Sequence, residues 1–280
     1  MQTCSIGPIT IGSEAPDPPA PLVIIAGPCV LETPEIHEAI GTALRDACDA
    51  AGLPWIFKGS FDKANRTSGQ SPRGPGLTDG LSMLRETGEH FGVPVTTDVH
   101  DPTQAATVAQ VADLLQIPAF LCRQSDLLAA CAATGKPVNI KKGQFLSPTE
   151  MLHAVDKVLD AGAGGLMLTE RGTFFGYHRL VNDFIGLGDL MALGWPVCFD
   201  ATHSTQLPGG GNGTSAGRPE RAALLARAAV AAGVQSLFIE CHPNPPQARS
   251  DGATVQTLEA AAGIIQEAAA IRAALTETTA

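Results

Sequence analysis

Cationic and hydroxyl side chains stand close together just after an apolar run near the start of the chain. That run ends at Phe57, and the polar residues of the following segment are Lys58, Ser60, Lys63, Asn65, Arg66 and Thr67. The chain carries a net charge of −10 and only six lysines, so this concentration of positive charge is informative. An acidic protein can focus clustered cations on an anionic small molecule. Phosphate and carboxylate groups are the natural partners of lysine and arginine.

More charged side chains follow other apolar runs. Besides the lysines already named, the residues at these positions include Asp98, Arg123, Lys142 and Arg171. Taken singly, a lysine or arginine is more often a solvated surface charge or one half of an ion pair. Several cations at equivalent positions favour a site that holds a phosphate and a carboxylate a few ångströms apart.

Four dispersed residues have the chemistry of metal ligands. A thiolate, an imidazole and two carboxylates suit a divalent ion such as Zn²⁺, Fe²⁺ or Mn²⁺, and the candidates are Cys29, His203, Glu240 and Asp251. Spacing alone does not support this set, because Cys29 is also explained as a small buried apolar residue and His203 as a structural imidazole. Glu240 is harder to dismiss, since a carboxylate that ends an apolar strand is rarely buried without a partner.

The elements that position these residues alternate between short apolar runs and alanine-rich helical stretches. The predicted strands are Leu22–Ala26, Trp55–Lys58, Val93–Asp98, Leu114–Ile117, Val138–Lys141, Leu166–Thr169, Val197–Asp200 and Leu237–Glu240. The predicted helices include Thr33–Ala51, Pro102–Ala112, Ser125–Thr134, Pro148–Ala161 and Pro219–Ala232. Continuous apolar runs are typical of parallel strands covered on both faces. Eight such units predict a (β/α)8 TIM barrel, whose active site lies at the carboxyl ends of the strands.

We expect one domain over residues 1–280, with residues 1–20 as an extension that holds a small hairpin at Ser5–Ile11. A doubly wound open sheet is the alternative fold, but no Gly-x-Gly-x-x-Gly fingerprint is present. The glycine-rich loop Gly209–Gly217 is expected at the catalytic face.

Composition excludes several classes of protein. The acidic balance argues against nucleic acid and anionic membranes as partners, and no apolar stretch reaches the length of a membrane span. The N-terminal residues do not have the pattern of a signal peptide. Seven cysteines without paired spacing indicate reduced thiols, so we expect a cytoplasmic protein.

Several motifs together resemble one known family. They are Phe57–Thr67, Arg73-Gly74-Pro75-Gly76, Thr97-Asp98-Val99-His100, Ile117-Pro118-Ala119-Phe120, Phe174-Phe175-Gly176-Tyr177 and Asp200-Ala201-Thr202-His203. Across most of its length the chain resembles the 3-deoxy-D-manno-octulosonate 8-phosphate synthases, which act in lipopolysaccharide precursor synthesis. These enzymes condense phosphoenolpyruvate with arabinose 5-phosphate and release phosphate. The loop Gly209–Gly217 is richer in glycine than the resemblance leads us to expect.

The resemblance implies roles for the polar residues. The positions that bind phosphoenolpyruvate match Lys58, Lys63, Arg123, Lys142 and Arg171. The site for the sugar phosphate matches Asn65, Arg66 and Thr67, and we also expect Ser60 and Asp98 to contact substrate. In this family the loop 65–67 meets a neighbouring subunit, which implies a homo-oligomer, and the family suggests a tetramer.

The resemblance also implies a metal-dependent enzyme. In that class a cysteine follows Gly-Pro at the end of the first strand, where the metal-independent class has asparagine. This chain has Cys29 after Gly27-Pro28, keeps the three other ligand positions, and reads Lys141-Lys142-Gly143-Gln144-Phe145 like the metal-dependent members. The metal would orient the aldehyde or position and acidify the attacking water. Cys29 and His203 thereby count as catalytic residues, together with Lys58 or Lys142 as proton donor to the aldehyde oxygen.

Three other functions are compatible with parts of the pattern. A 3-deoxy-D-arabino-heptulosonate 7-phosphate synthase would use erythrose 4-phosphate, but that family usually has Lys-Pro-Arg-Thr where this chain has Lys63-Ala64-Asn65-Arg66. A Schiff-base aldolase would use Lys58 or Lys142 as nucleophile. A non-catalytic barrel would bind phosphosugars without releasing phosphate.

Overall fold

A computed structural model describes residues 1–13, 20–64, 72–211 and 216–277. The first described element is an antiparallel hairpin of β1 (Cys4–Ile6) and β2 (Ile9–Ile11). Cys4, Ile6 and Ile11 are fully buried against apolar side chains of the barrel interior. The predicted hairpin at the barrel bottom is therefore confirmed, while residues 14–19 of the predicted extension lie outside the described residues.

Eight parallel strands form a closed barrel, which confirms the predicted (β/α)8 fold and excludes the open sheet. They are β3 (Val23–Gly27), β4 (Trp55–Lys58), β5 (Val95–Asp98), β6 (Leu114–Ile117), β7 (Pro137–Lys141), β8 (Gly165–Glu170), β11 (Val197–Asp200) and β14 (Ser236–Glu240). The barrel closes where β14 pairs with β3, with Glu240 opposite Gly27. This register brings residues from the two ends of the chain to the same rim.

Helices cover the outside of the barrel. In the described part of the chain they are α1 (Pro34–Ala51), α2 (Leu77–Phe91), α3 (Ala105–Val108), α4 (Ser125–Ala132), α5 (Leu152–Asp160), α6 (Phe184–Ala192), α7 (Ala222–Ala232) and α8 (Leu258–Glu277). The start of α1 follows from its sequence, because the Thr33 hydroxyl accepts a hydrogen bond from the Ile36 amide and Pro34 opens the first turn. Gly52 ends α1 in the left-handed conformation, which glycine adopts without strain.

The predicted helix Pro102–Ala112 differs from the structure. A 3-10 turn, Pro102–Gln104, comes first, and α3 ends at Val108. Asp101 and Gln104 form a capping box around this short turn, so the proline and its cap specify a tight start. The proline-led segments before α5 and α7 also begin with 3-10 turns, Thr149–Met151 and Pro219–Arg221.

Two short antiparallel pairs lie among the loops. They are β9 (Thr173–Phe174) with β10 (Leu180–Val181), and β12 (Gln206–Leu207) with β13 (Ala216–Gly217). The second pair flanks the glycine-rich loop, of which residues 212–215 are outside the described residues. No helix among the described residues is both long and apolar enough to cross a membrane.

The barrel interior changes from apolar to charged along the strands. Near the hairpin it contains Val23, Ile25, Ile56, Leu114, Met167 and Phe238. At the carboxyl ends it contains Lys58, Asp98, Lys141, Asp200 and Glu240, each at most 9% exposed. Buried charges of this number require partners, because an isolated ion is costly to remove from water. The charged end of the barrel is therefore where a functional site is expected.

Candidate active site

A cavity of about 890 Å³ opens at the carboxyl ends of the strands. Of the residues predicted from the sequence, it is lined by Lys63, Asp98, Arg171, His203, Glu240 and Asp251. The lining also includes polar residues that had no predicted role, and these are Asp62, His100, Gln116, Lys141, Gln144, Gln206, Arg249 and Ser250. The volume falls within the range of small-molecule sites.

Lys58 and Glu240 form a buried ion pair beside this cavity. The Lys58 Nζ lies 2.6 Å from Glu240 Oε1 and also donates to the backbone oxygens of Cys29, at 2.7 Å, and Pro28, at 3.3 Å. Burial opposes the charge on Lys58, but Glu240 and Asp98 outweigh it and raise its pKa. Burial likewise opposes the charge on Glu240, and His203 and Lys58 outweigh it, so that the Glu240 pKa falls to about 2. Both groups are therefore ionised at neutral pH.

Asp200 fixes the ring of His203. Its Oδ2 lies 2.7 Å from His203 Nδ1, and its Oδ1 accepts from the His203 backbone amide at 2.8 Å. Lys141 Nζ lies 2.6 Å from the same Asp200 Oδ2. Although burial opposes ionisation, His203 and Lys141 keep the pKa of Asp200 well below its usual range. Because Asp200 is a carboxylate, it accepts the Nδ1 proton, and this hydrogen bond turns Nε2 toward Glu240.

Three predicted metal ligands meet in one place. The ligand atoms of Cys29, Glu240 and Asp251 all lie within 4.8 Å of one another. His203 is outside that trio, but its Nε2 lies 3.4 Å from Glu240 Oε2. That oxygen is buried without a hydrogen-bond partner, since Lys58 occupies the other oxygen of the carboxylate. An orphaned carboxylate oxygen beside a thiol and an oriented imidazole fits a divalent cation.

The surroundings of Cys29 favour the protonated thiol. Burial raises its pKa well above the usual value, and the neighbouring Asp251 and Glu240 raise it further. Its Sγ donates to Asp251 Oδ2 at 3.0 Å. A cation bound between these groups would replace that proton, because metals bind the thiolate form of cysteine.

Four lysine and arginine side chains line the cavity, and these are Lys63, Lys141, Arg171 and Arg249. Lys63 Nζ lies 3.5 Å from Asp251 Oδ2, and Arg171 Nη2 donates to Gln206 Oε1 at 2.5 Å. Arg171 Nη1 is buried without a hydrogen-bond partner, so it retains a donor for a ligand. Lys63, Lys141 and Arg171 thus bring positive charge to the same cavity.

The structure does not bring every predicted residue to the cavity. Lys142 Nζ donates to the backbone oxygens of Leu146, at 3.0 Å, and Gly143, at 3.4 Å, and to Thr173 Oγ1 at 3.2 Å. It also lies 3.4 Å from Glu170 Oε2, with which it forms a buried ion pair. Arg123 is exposed and does not line the cavity, and the Ser60 hydroxyl donates to the backbone oxygen of Asp62. Asn65, Arg66 and Thr67 lie outside the described residues. The substrate roles of all these residues stay predictions.

A chain of buried amides supports Asp98. Gln116 Nε2 donates to Asp98 Oδ1 at 2.7 Å, Asn139 Nδ2 donates to Gln116 Oε1 at 3.0 Å, and Thr169 donates to Asn139 at 2.7 Å. These residues point into the barrel from β5, β6, β7 and β8. The sequence offered one signal for them, namely polar residues inside strands that otherwise read as continuous apolar runs.

Comparison with known proteins agrees with this geometry. The sequence model of the DAHP synthetase I family matches residues 8–273. The chain belongs to the DAHP synthetase I family. Among relatives named 2-dehydro-3-deoxyphosphooctonate aldolase, one from Cyanothece sp. is 52% identical over 255 residues, covering 91% of this chain and 93% of the relative. Another from Acidithiobacillus ferrooxidans is 53% identical and covers 83% of each chain.

A third relative of the same name, from Desulfotalea psychrophila, is 47% identical and covers 92% of each chain. The family resemblance predicted from the motifs is therefore confirmed over most of the chain. The name of these relatives is the alternative term for the octulosonate phosphate synthases, so the heptulosonate alternative is not favoured.

Proposed function

We propose that this protein condenses phosphoenolpyruvate with D-arabinose 5-phosphate and water to give 3-deoxy-D-manno-octulosonate 8-phosphate and phosphate, in lipopolysaccharide precursor synthesis. One observation carries the proposal. The cavity lined by the cations Lys63, Lys141 and Arg171, among others, also reaches Glu240 and Asp251, which meet Cys29 in the metal-ligand set. Such a site can bind an enol phosphate that carries a carboxylate and bring an aldehyde next to it. The family membership and the named relatives support the same reaction.

The cavity cations hold phosphoenolpyruvate. Lysine ammonium groups act as point charges toward phosphate, and the guanidinium of Arg171 can hold a carboxylate or phosphate with two parallel hydrogen bonds. Its unpartnered Nη1 is the donor available for the second of these bonds. Lys63 and Lys141 are paired with carboxylates and Arg171 is bound to Gln206 before substrate arrives, so little reorganisation is needed as charge develops.

The reaction forms a carbon–carbon bond and a carbon–oxygen bond to water, and it breaks the carbon–oxygen bond to phosphate. C3 of phosphoenolpyruvate attacks the aldehyde carbon, the aldehyde oxygen takes a proton, and a water oxygen adds at C2. The water loses one proton as it adds. The hemiketal hydroxyl loses the other as phosphate leaves and the ketone forms. The overall reaction therefore balances without an oxidant or reductant.

We assign the proton of the aldehyde oxygen to Lys58. Its raised pKa keeps it protonated, and it contacts two carboxylates that line the cavity, Glu240 at 2.6 Å and Asp98 at 4.0 Å. Lys142 is less suitable, because its contacts are with Gly143, Leu146, Thr173 and Glu170, none of which lines the cavity. The same protonation argues against a Schiff-base aldolase, which needs a neutral lysine amine as nucleophile.

Cys29, His203, Glu240 and Asp251 would hold a divalent metal, Zn²⁺, Fe²⁺ or Mn²⁺. When bound, such an ion supplies a Lewis acid that orients the aldehyde or the water. The residues around it have their own tasks. Asp200 keeps His203 Nε2 directed at Glu240, and Lys58 offsets the negative charge of the thiolate and carboxylates.

The proposal includes a homotetramer that works in the cytoplasm. Large apolar side chains are exposed among the loops at the carboxyl end of the barrel, and these are Phe120, Phe145, Phe174, Phe175 and Tyr177. Exposed apolar surface of this kind supports contact with another copy of the chain. All seven cysteines are buried free thiols, which supports a reducing compartment.

The decisive experiment measures phosphate release from phosphoenolpyruvate with arabinose 5-phosphate, before and after chelator treatment. We expect activity that disappears with the chelator and returns with a divalent ion. Erythrose 4-phosphate serves as the contrasting aldehyde and should support little turnover. Activity that survives thorough chelation would contradict the metal requirement but would still support the condensation reaction. No phosphate release with either sugar would support the non-catalytic barrel.

A further inference from the structure

The metal-ligand set depends on two loops that the barrel alone does not align. Cys29 lies in the loop between β3 and α1, and Asp251 lies in the long loop between β14 and α8. The strand register fixes Glu240 opposite Gly27. Asp251 lies well beyond the end of β14, however, and the loop returns to the barrel only after it, where Gln256 pairs with Cys241. The barrel register therefore leaves the segment before Asp251 to be held by other contacts.

The side chain of Glu32 bridges these two loops. Glu32 lies in the same loop as Cys29, and its Oε1 accepts a hydrogen bond from the Arg249 backbone amide at 3.0 Å. Arg249 Nε lies 3.8 Å from the other carboxylate oxygen. The contact to the backbone acts on the course of the chain just before Asp251. It is therefore suited to determine where that loop runs.

A histidine of the second loop faces the same carboxylate. His242 Nδ1 accepts a hydrogen bond from the Asn244 backbone amide at 3.0 Å, so the neutral ring carries its proton on Nε2. Nε2 is buried and lies 3.5 Å from Glu32 Oε1. The Glu32 side chain is thus approached by donors from two separate points of the loop that carries Asp251.

Glu32 is itself held from the other side. Its backbone amide donates to His37 Nε2 at 3.0 Å, and His37 belongs to the first turns of α1. The Glu32 side chain is only 10% exposed, while exposed glutamates are common in the neighbouring helix. A carboxylate is costly to bury unless donors satisfy it, so its position between the loops indicates a specific structural task.

The loop needs such a restraint. Asp251 has a φ of 52°, which lies in the left-handed region that residues other than glycine seldom adopt. Its backbone oxygen accepts from the amides of Thr254, at 2.8 Å, and Val255, at 3.1 Å. A backbone conformation of this kind persists when the surrounding contacts determine it. Glu32 supplies one of these contacts, at the Arg249 amide, from the loop that carries Cys29.

We propose that Glu32 is a positioning residue for the metal site, which clamps the Asp251 loop so that the Asp251 carboxylate lies against the Cys29 thiol. This inference rests on the metal site of the proposed function. Glu32 does not contact the trio of ligand atoms, so it acts through the loop. Removing the clamp should weaken metal binding more than it weakens the fold.

The experiment titrates metal-free protein with Co²⁺ alone and follows the thiolate-to-cobalt absorption band and the dissociation constant. Positioning residues around metal sites typically contribute about 10- to 100-fold in affinity, and we expect a loss in that range for Glu32→Ala. Glu32→Gln keeps an acceptor for the Arg249 amide and should lose less. Glu35→Ala changes an exposed glutamate in the first turn of α1 and is the matched control, with affinity within about twofold of wild type.

Thermal unfolding of the metal-free proteins separates positioning from stability. The clamp predicts that Glu32→Ala binds Co²⁺ more weakly than wild type. It also predicts that Glu32→Gln binds Co²⁺ more tightly than Glu32→Ala even when the variants have equal melting temperatures. Equal Co²⁺ affinity in wild type and Glu32→Ala would overturn the clamp and leave the metal site intact. Absence of the thiolate band in wild type would overturn both, whereas phosphate release with arabinose 5-phosphate would still test the condensation separately.

Discussion

The Cys29 thiol lies 3.0 Å from a carboxylate oxygen of Asp251, although 222 positions separate the two residues in the chain. Both groups are anionic when they bind metals, and here the thiol donates a hydrogen bond to the carboxylate. Glu240, whose ligand atom lies within 4.8 Å of both, extends the arrangement to three donors. The cluster has the chemistry of a cation site in which protons compete with the metal.

Cys29→Ala should abolish the thiolate-to-cobalt absorption band and reduce phosphate release by at least about 100-fold, because several kcal/mol of charge stabilisation by the metal would be lost. The matched control is Cys131→Ala, which removes another buried thiol, in α4, away from the cavity lining. The control should retain both the band and the activity. A Cys29→Ala protein that keeps the band would exclude Cys29 as a ligand.

Lys58→Met should destabilise the protein by about 3–5 kcal/mol, because it leaves the buried Glu240 carboxylate without its ammonium partner. Urea unfolding measures this loss. The double variant Lys58→Met with Glu240→Gln should be more stable than Lys58→Met alone, since the uncompensated charge is gone.

The matched control for Lys58 is Lys136→Met. Lys136 forms a more exposed pair with Asp113 at 3.9 Å, so its replacement should change stability by at most about 1 kcal/mol. Equal destabilisation by Lys58→Met and Lys136→Met would mean that burial of the Lys58–Glu240 pair has no energetic consequence.

His37 predicts a pH dependence of stability. Burial lowers its pKa from 6.5 to about 4, against a small opposing effect of Glu35. Below pH 6.5 the unfolded chain binds a proton that the folded chain excludes, so stability should fall by up to about 3 kcal/mol as the pH drops from 6.5 toward 4. His37→Gln removes this group, and its unfolding free energy should depend less on pH in this window. Parallel pH profiles for the two proteins would contradict the assignment.

The sequence predicted the barrel well because apolar runs mark buried parallel strands directly. The predicted strands Trp55–Lys58, Leu114–Ile117 and Val197–Asp200 coincide with β4, β6 and β11, and the others differ by one or two residues at an end. Strand ends then predicted which polar residues reach the catalytic rim. Cys29, Glu240 and Asp251 meet as expected from adjacent positions around a closed barrel.

Side-chain direction was harder to predict. Lys141 and Lys142 are neighbours, but successive residues of an extended chain point to opposite faces. Lys141 faces Asp200 inside the barrel, whereas Lys142 faces the backbone of its own loop. The alternation from Asn139 to Lys141 was the available signal. The sequence gives no comparable signal for the role of Glu32, because that role depends on a contact with a backbone amide in a distant loop.

Gly27→Ala should destabilise the barrel where β3 packs against β4, beside the metal site. A Cβ at Gly27 would lie 1.9 Å from the backbone oxygen of Lys58, so β3 and β4 would have to separate. Overpacking against backbone typically costs about 1–3 kcal/mol, and here the shift also displaces Lys58 from Glu240. Gly188→Ala in α6 is the control, since nothing lies within 4 Å of the added Cβ and the exposed helical position should gain up to about 1 kcal/mol. Urea unfolding should therefore give shifts of opposite sign for the two substitutions. If Gly27→Ala were as stable as wild type, with unchanged phosphate release, the close approach of the two strands would not be required for the site.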